Sequence, residues 1–159
     1  MGLDQYLKKK LYVGGMYAEN SDEYLEVKKG NKTTRIKIGD INCVEMEACY
    51  WRKNYAINEW FMEQIQPDGD DNCVDFLIEP QTIIDLRDTL KRICEKKTKK
   101  EKLEAVENEI PTHSWFTIDE FKEDFDYYIE DFEDTIKKLD KLIEAPDFKE
   151  ADYYYRIWY

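Results

Sequence analysis

The stretch "WFTIDEFKEDFDYYIEDFEDTIKKLDKLIEAP", residues 115 to 146, sets what kind of fold this chain can have. Phe121, Phe125, Tyr128, Phe132, Ile136, Leu139 and Ile143 recur at steps of three and four, the repeat that lines side chains along one side of an α-helix. Thr117 and Glu120 have the spacing of a capping box, in which each side chain satisfies an amide left without a partner at the helix start. Phe116 and Phe121 stand where a hydrophobic staple packs, and Ala145 and Pro146 close the segment. The pattern predicts a long helix from Ile118 whose aromatic stripe is core. Such a helix needs an apolar surface to lie on, and the rest of the chain supplies strands for it.

Working outward, "LDQYLKKKLYVGG" alternates Tyr6, Lys8, Lys10 and Tyr12 with Leu7, Lys9 and Leu11, and reads as a strand ended by Gly14 and Gly15. "YLEVKKGNKTTRIKI", from Tyr24, has the form of a hairpin with a polar turn between Lys29 and Lys32. Its cations discourage pairing with other strands. Between Tyr50 and Ile65 there is no Gly or Pro, and Ala56, Ile57, Trp60, Phe61 and Ile65 fall at helical spacing, which predicts a helix closed by Pro67 and "DGDDN". "CVDFLIEP" is a short strand, and Pro80 suits the first turn of a helix carrying Ile83, Leu86, Leu90 and Ile93. From Glu95 to Glu109 only Leu103, Ala105 and Val106 are apolar, so this lysine-rich segment reads as a mobile loop or a frayed helical extension. The closing "DYYYRIWY" is β-prone and adds a last strand. The expected fold is a single α+β domain over residues 1–159, a small, mostly antiparallel sheet packed against about three helices.

Length and composition agree with one domain. The 159 residues are 42% apolar, enough for a core without metals or disulfides. Basic residues number 24 against 36 acidic, a net charge of -12 that repels a nucleic-acid backbone and favours a basic protein surface. Cys43, Cys49, Cys73 and Cys94 form no CxxC pair and His113 is the single histidine, a set that suits reduced thiols rather than zinc. No apolar run reaches the ~20 residues of a membrane span. The first residues lack the apolar core of a signal peptide, and Tyr6 stands where a myristoylation motif requires Ser or Thr. The expectation is a cytoplasmic protein with no cofactor and no membrane association.

Two groups of residues are candidates for function. Nine of the sixteen residues from Asp119 to Asp134 are acidic, opposed by Lys122 alone. With the aromatic stripe turned inward, Asp119, Glu123, Asp126, Glu130, Glu133 and Asp134 occupy the outer faces as a negative ridge, suited to imitating a row of phosphates in a basic groove. The helix dipole favours acids at this end too, so part of the pattern needs no function. The second group lies in "EACYWRKNYAINEWF", residues 47 to 61, where two readings stand open. Arg52, with Glu59 and Glu63 on its helical face, belongs to a satisfied polar stripe; or Trp51, Arg52, Asn54 and Asn58 line a pocket, the ring stacking on a base and the guanidinium holding a phosphate or carboxylate.

Other motifs give less. Asp68, Asp70, Asp71 and Asn72 crowd one loop, but the glycine of an EF-hand is misplaced and turn chemistry explains them. No P-loop, GxGxxG, GxSxG or HExxH occurs. Carboxylate pairs are numerous enough to leave a carboxylate-dyad enzyme open, though binding is the favoured expectation over catalysis.

Several blocks in order, "MGLDQYL", "YWRKNYAINEWF", "DDNC", "IPTHSWF" and an aromatic end, resemble a family of small uncharacterised phage and prophage proteins. Its members open with MGLDMYL and carry GYWRKANAIHKWF and LPTQSGFFFG. Trp51, Arg52, Lys53, Asn54, Ile57, Trp60 and Phe61 match; Asn58 replaces a histidine, and "HSWFTIDEF" replaces a glycine-containing segment. The resemblance implies a phage or mobile-element origin and action in the bacterial cytoplasm, and brings no established activity. The function expected is therefore a phage accessory protein that inhibits a host defence or nucleic-acid system by binding one of its protein components through the acidic ridge. The alternative is a protein that sequesters a nucleotide or other small ligand in the Trp51 and Arg52 region.

Overall fold

The computed structural model describes residues 2–13, 22–65, 73–112 and 116–158. The double glycine after the first strand, Pro67 with the acidic turn that follows it, and His113 lie outside the described residues. In chain order the elements are β1 (Asp4–Tyr12), β2 (Tyr24–Lys29), β3 (Lys32–Lys37), β4 (Cys43–Arg52), α1 (Tyr55–Ile65), β5 (Asp75–Ile78), α2 (Pro80–Cys94), α3 (Lys99–Glu109), α4 (Ile118–Glu123), α5 (Phe125–Ile143) and β6 (Asp152–Trp158). A four-stranded antiparallel sheet of order β4-β1-β6-β5 carries the helices on one face, and β2 and β3 form a separate hairpin. This is a single α+β domain.

The period-two alternation of β1 separates its faces. Gln5, Leu7 and Lys9 are buried under the helices, while Tyr6, Lys8 and Lys10 point the other way. A register shift between Leu7 and Lys8 against β4 keeps both strands' apolar side chains on the inner face, where Cys49 and Trp51 join Leu7. The C-terminal aromatic run becomes a central strand, and Tyr153, Tyr155 and Ile157 are fully enclosed. Phe61 stacks on Tyr155 with ring centroids 4.1 Å apart. Taking each such ring out of water contributes roughly 2–3 kcal/mol, so the helix-to-sheet layer dominates stability.

Three sequence expectations change. The segment from Tyr50 is not helical at its start: β4 runs through Arg52, and the helix begins only at Tyr55. Pairing with β1 holds Tyr50, Trp51 and Arg52 extended, since aromatic side chains suit a pleated surface. The long helix is broken at Asp124 (φ -104°, ψ 31°) into α4 and α5, although Phe121, Tyr128, Phe132 and Leu139 stay buried across the break. The lysine-rich segment is α3 from Lys99 onward, set by a complete capping box between Thr98 and Glu101 and by burial of Ala105 and Val106. At Thr117 the hydroxyl accepts from the Glu120 amide, and Phe116 meets Phe121 edge-on at 6.1 Å.

Candidate functional site

The junction between β4 and α1 is built by three consecutive residues. Lys53 adopts a positive φ of 57°, and its amide donates to the Leu3 carbonyl at 2.7 Å, which turns the chain out of the sheet. Asn54, fully buried, caps the helix that follows: its Oδ1 accepts from the Ile57 amide at 3.0 Å while its Nδ2 donates to Asp131 of α5 at 2.5 Å. Burial pushes the Asp131 carboxyl above its ordinary value, and the hydrogen bond from Asn54 offsets this only in part. The Tyr127 hydroxyl donates to the Arg52 carbonyl at 2.6 Å, a second tie between the junction and α5.

The structure therefore divides the four candidates of the opening block. Trp51 is 1% exposed and its indole N–H donates to Thr135 at 2.7 Å, so its ring has no free face for a base. Asn58 is buried too, and accepts from Tyr155, whose hydroxyl also reaches Gln5. With Asn54 committed to capping, a pocket lined by all four side chains does not form. Their polarity satisfies hydrogen bonds inside the core. Arg52 alone stays exposed. With Lys53, Tyr55, Glu120, Asp124 and Tyr127 it lines an open cleft of about 640 Å³ between the junction and the α4–α5 break. Cations stand on one wall of that cleft and carboxylates on the other. Sequence reasoning missed Lys53, Glu120 and Asp124, because the helix break that brings them together has no Gly or Pro to mark it.

All six acids of the ridge are exposed: Asp119 and Glu123 on α4, Asp126, Glu130, Glu133 and Asp134 on α5. Asp119 pairs with Lys122 at 2.9 Å and Asp134 with Lys138 at 2.8 Å, each within its own helix. The Lys138 contact holds Asp134 below the ordinary carboxylate range. Asp126, Glu130 and Asp134 follow one another at four-residue steps, where like charges repel by a few tenths of a kcal/mol per pair. The break at Asp124 means that the ridge runs along two helix axes.

Among the described residues no group of three or more His, Cys, Asp or Glu is placed to hold a metal ion, and no helix is long and apolar enough to cross a membrane. No disulfide joins the four cysteines; burial pushes the Cys49 thiol up to about 12 and the Cys94 thiol up to about 11. Comparison with protein-family models, curated proteins and solved structures finds no match to this chain.

Proposed function

We propose that this protein is a phage accessory protein of the bacterial cytoplasm, which inhibits a host defence or nucleic-acid system by docking its acidic ridge on a basic protein surface. The observation that carries this reading is the ridge itself. Six exposed carboxylates share the outer side of α4 and α5, and three of them, Asp126, Glu130 and Asp134, stand at mutually repulsive spacing, a cost to helix stability that the Asp134–Lys138 pair offsets only in part. A row of this kind presents phosphate-like charge to a nucleic-acid groove and steers association over long range.

The test is a variant in which Glu123, Asp126, Glu130 and Asp134 are changed to Lys, with folding checked by circular dichroism. Wild-type protein retains a basic host protein from lysate at low salt and releases it at high salt, and the variant retains none. A host partner held equally by both proteins, or held independently of salt, rejects the reading.

The cleft at Arg52 favours a second reading, a small anionic or zwitterionic ligand held between Arg52, Lys53 and the facing tyrosines. Native mass spectrometry of purified protein and of Arg52→Ala tests it. A bound mass present in the first and missing from the second supports the ligand, and its absence from both rejects it.

A further inference from the structure

Among the described residues two surfaces are left open, and they complement each other. The first is the β2–β3 hairpin. Every residue of β2 and all of β3 before Lys37 are exposed, so the ribbon buries none of its side chains on the domain. A two-stranded ribbon is marginal in water by itself. Its turn is well specified: Gly30, the first of the two loop residues, has the positive φ (59°) that a type II′ hairpin turn places there. The register sets Leu25 opposite Ile36 and Val27 opposite Thr34, making one face apolar, with Leu25, Val27 and Ile36 40, 44 and 37% exposed. The other face carries Tyr24 and the Glu26–Arg35 ion pair.

The second surface is the face of the four-stranded sheet turned away from the helices. Tyr6 and Tyr50 lie against each other there with centroids 5.2 Å apart, and Trp158 and Leu77 are more than half exposed. A shallow cavity of about 300 Å³ opens among Tyr6, Lys8, Glu45, Glu47, Arg156 and Trp158. Among the described residues, no helix packs on this face.

We infer that the hairpin of one copy lies across the open sheet face of a second copy, and the reverse, in a two-fold dimer held by exchanged arms. The apolar side of the ribbon covers Tyr6, Tyr50, Leu77 and Trp158 of the other copy. Charge favours the same arrangement. Between Tyr24 and Lys37 five cations stand against Glu26 alone, on a chain whose net charge is -12, so an arm is attracted to the body of any other copy. Around the cavity that receives it, Lys8 and Lys10 are held by Glu45 and Arg156 by Asp75, and Glu47 stands exposed at the rim to meet the arm's cations. Within one molecule the arm does not fold back over its own sheet, because arm and sheet face both remain exposed. The acidic ridge lies in the helix layer and stays free, so the dimer stands or falls independently of the function proposed above. A basic ribbon by itself also suits a nucleic-acid groove, but its apolar side and the charge of the whole chain oppose that use.

Sedimentation of the full chain over a concentration series tests the arrangement. Wild-type protein sediments as a dimer that weakens as salt rises. Leu25→Ser with Ile36→Ser removes the arm contact, and Leu77→Glu with Trp158→Ser removes the sheet contact; each pair of changes weakens dimerisation by about tenfold or more. Neither changes the circular dichroism of the body, because the altered side chains are already exposed. Mixing the two variants restores a mixed dimer, since one carries an intact arm and the other an intact face. A wild-type monomer at every concentration, a dimer indifferent to both sets of changes, or an arm that binds duplex nucleic acid in place of a second copy would overturn the proposal.

Discussion

Trp51 shows how one side chain changes meaning between sequence and structure. Beside Arg52 it reads as a stacking platform; in the fold its indole N–H is committed to Thr135, across the boundary between sheet and α5. Thr135→Val keeps the shape and removes the acceptor, leaving a buried donor unsatisfied. The expected loss is about 2 kcal/mol in urea unfolding, with no change in fold. Asn54 and Asn58 belong to the same class of buried polar group. None of these three is distinguishable in sequence from a binding residue, because a polar or aromatic side chain next to a cation suits a satisfied core as well as an open site. Arg52 differs because strand alternation turns it away from the core at the end of β4, where the chain leaves the sheet.

At the scale of elements, the helices are joined by charge as well as by apolar packing. Asp140 of α5 accepts from Arg87 and Lys91 of α2 at 3.0 and 2.9 Å. Burial alone would raise its carboxyl, but the hydrogen bonds from Lys91 and Arg87 outweigh that and hold it below the usual range. A lowered carboxyl stabilises the fold above its unfolded-state value, and that contribution fades as pH falls through the lower folded value. Asp140→Asn is therefore expected to cost about 1 kcal/mol at neutral pH, after discounting for solvent screening, and to flatten the acid limb of stability against pH. The capping box of α3 makes a similar test. Thr98→Ala should cost about 1 kcal/mol and be seen first as faster amide exchange in Lys99–Glu109. That box was present in the sequence, but fifteen residues with only Leu103, Ala105 and Val106 as apolar members gave too thin a stripe to establish a helix. Burial of two of them, together with the Arg92–Glu109 ion pair to α2, supplies what the stripe lacks.

For the whole molecule, the packed body and the exposed ribbon contribute differently to stability. Replacing Tyr24–Lys37 by a short glycine-serine turn should leave the body's unfolding free energy within about 0.5 kcal/mol of wild type, because surface positions away from packing contribute little. A larger loss in monomeric protein would mean that the ribbon packs on its own body. By itself the sequence determined the α+β class, the hairpin, the aromatic stripe of α4 and α5, and the outward position of the six acids, because each follows from a local period of 2 or 3.6 and from the cost of burying charge. Tertiary structure alone decided that β4 runs to Arg52, that Trp51, Asn54 and Asn58 are interior, and that Lys53 faces Glu120 and Asp124 across a cleft. Those outcomes depend on which strand pairs with β1 and which helix covers it, and contacts between residues so far apart in the chain leave no periodic trace in it.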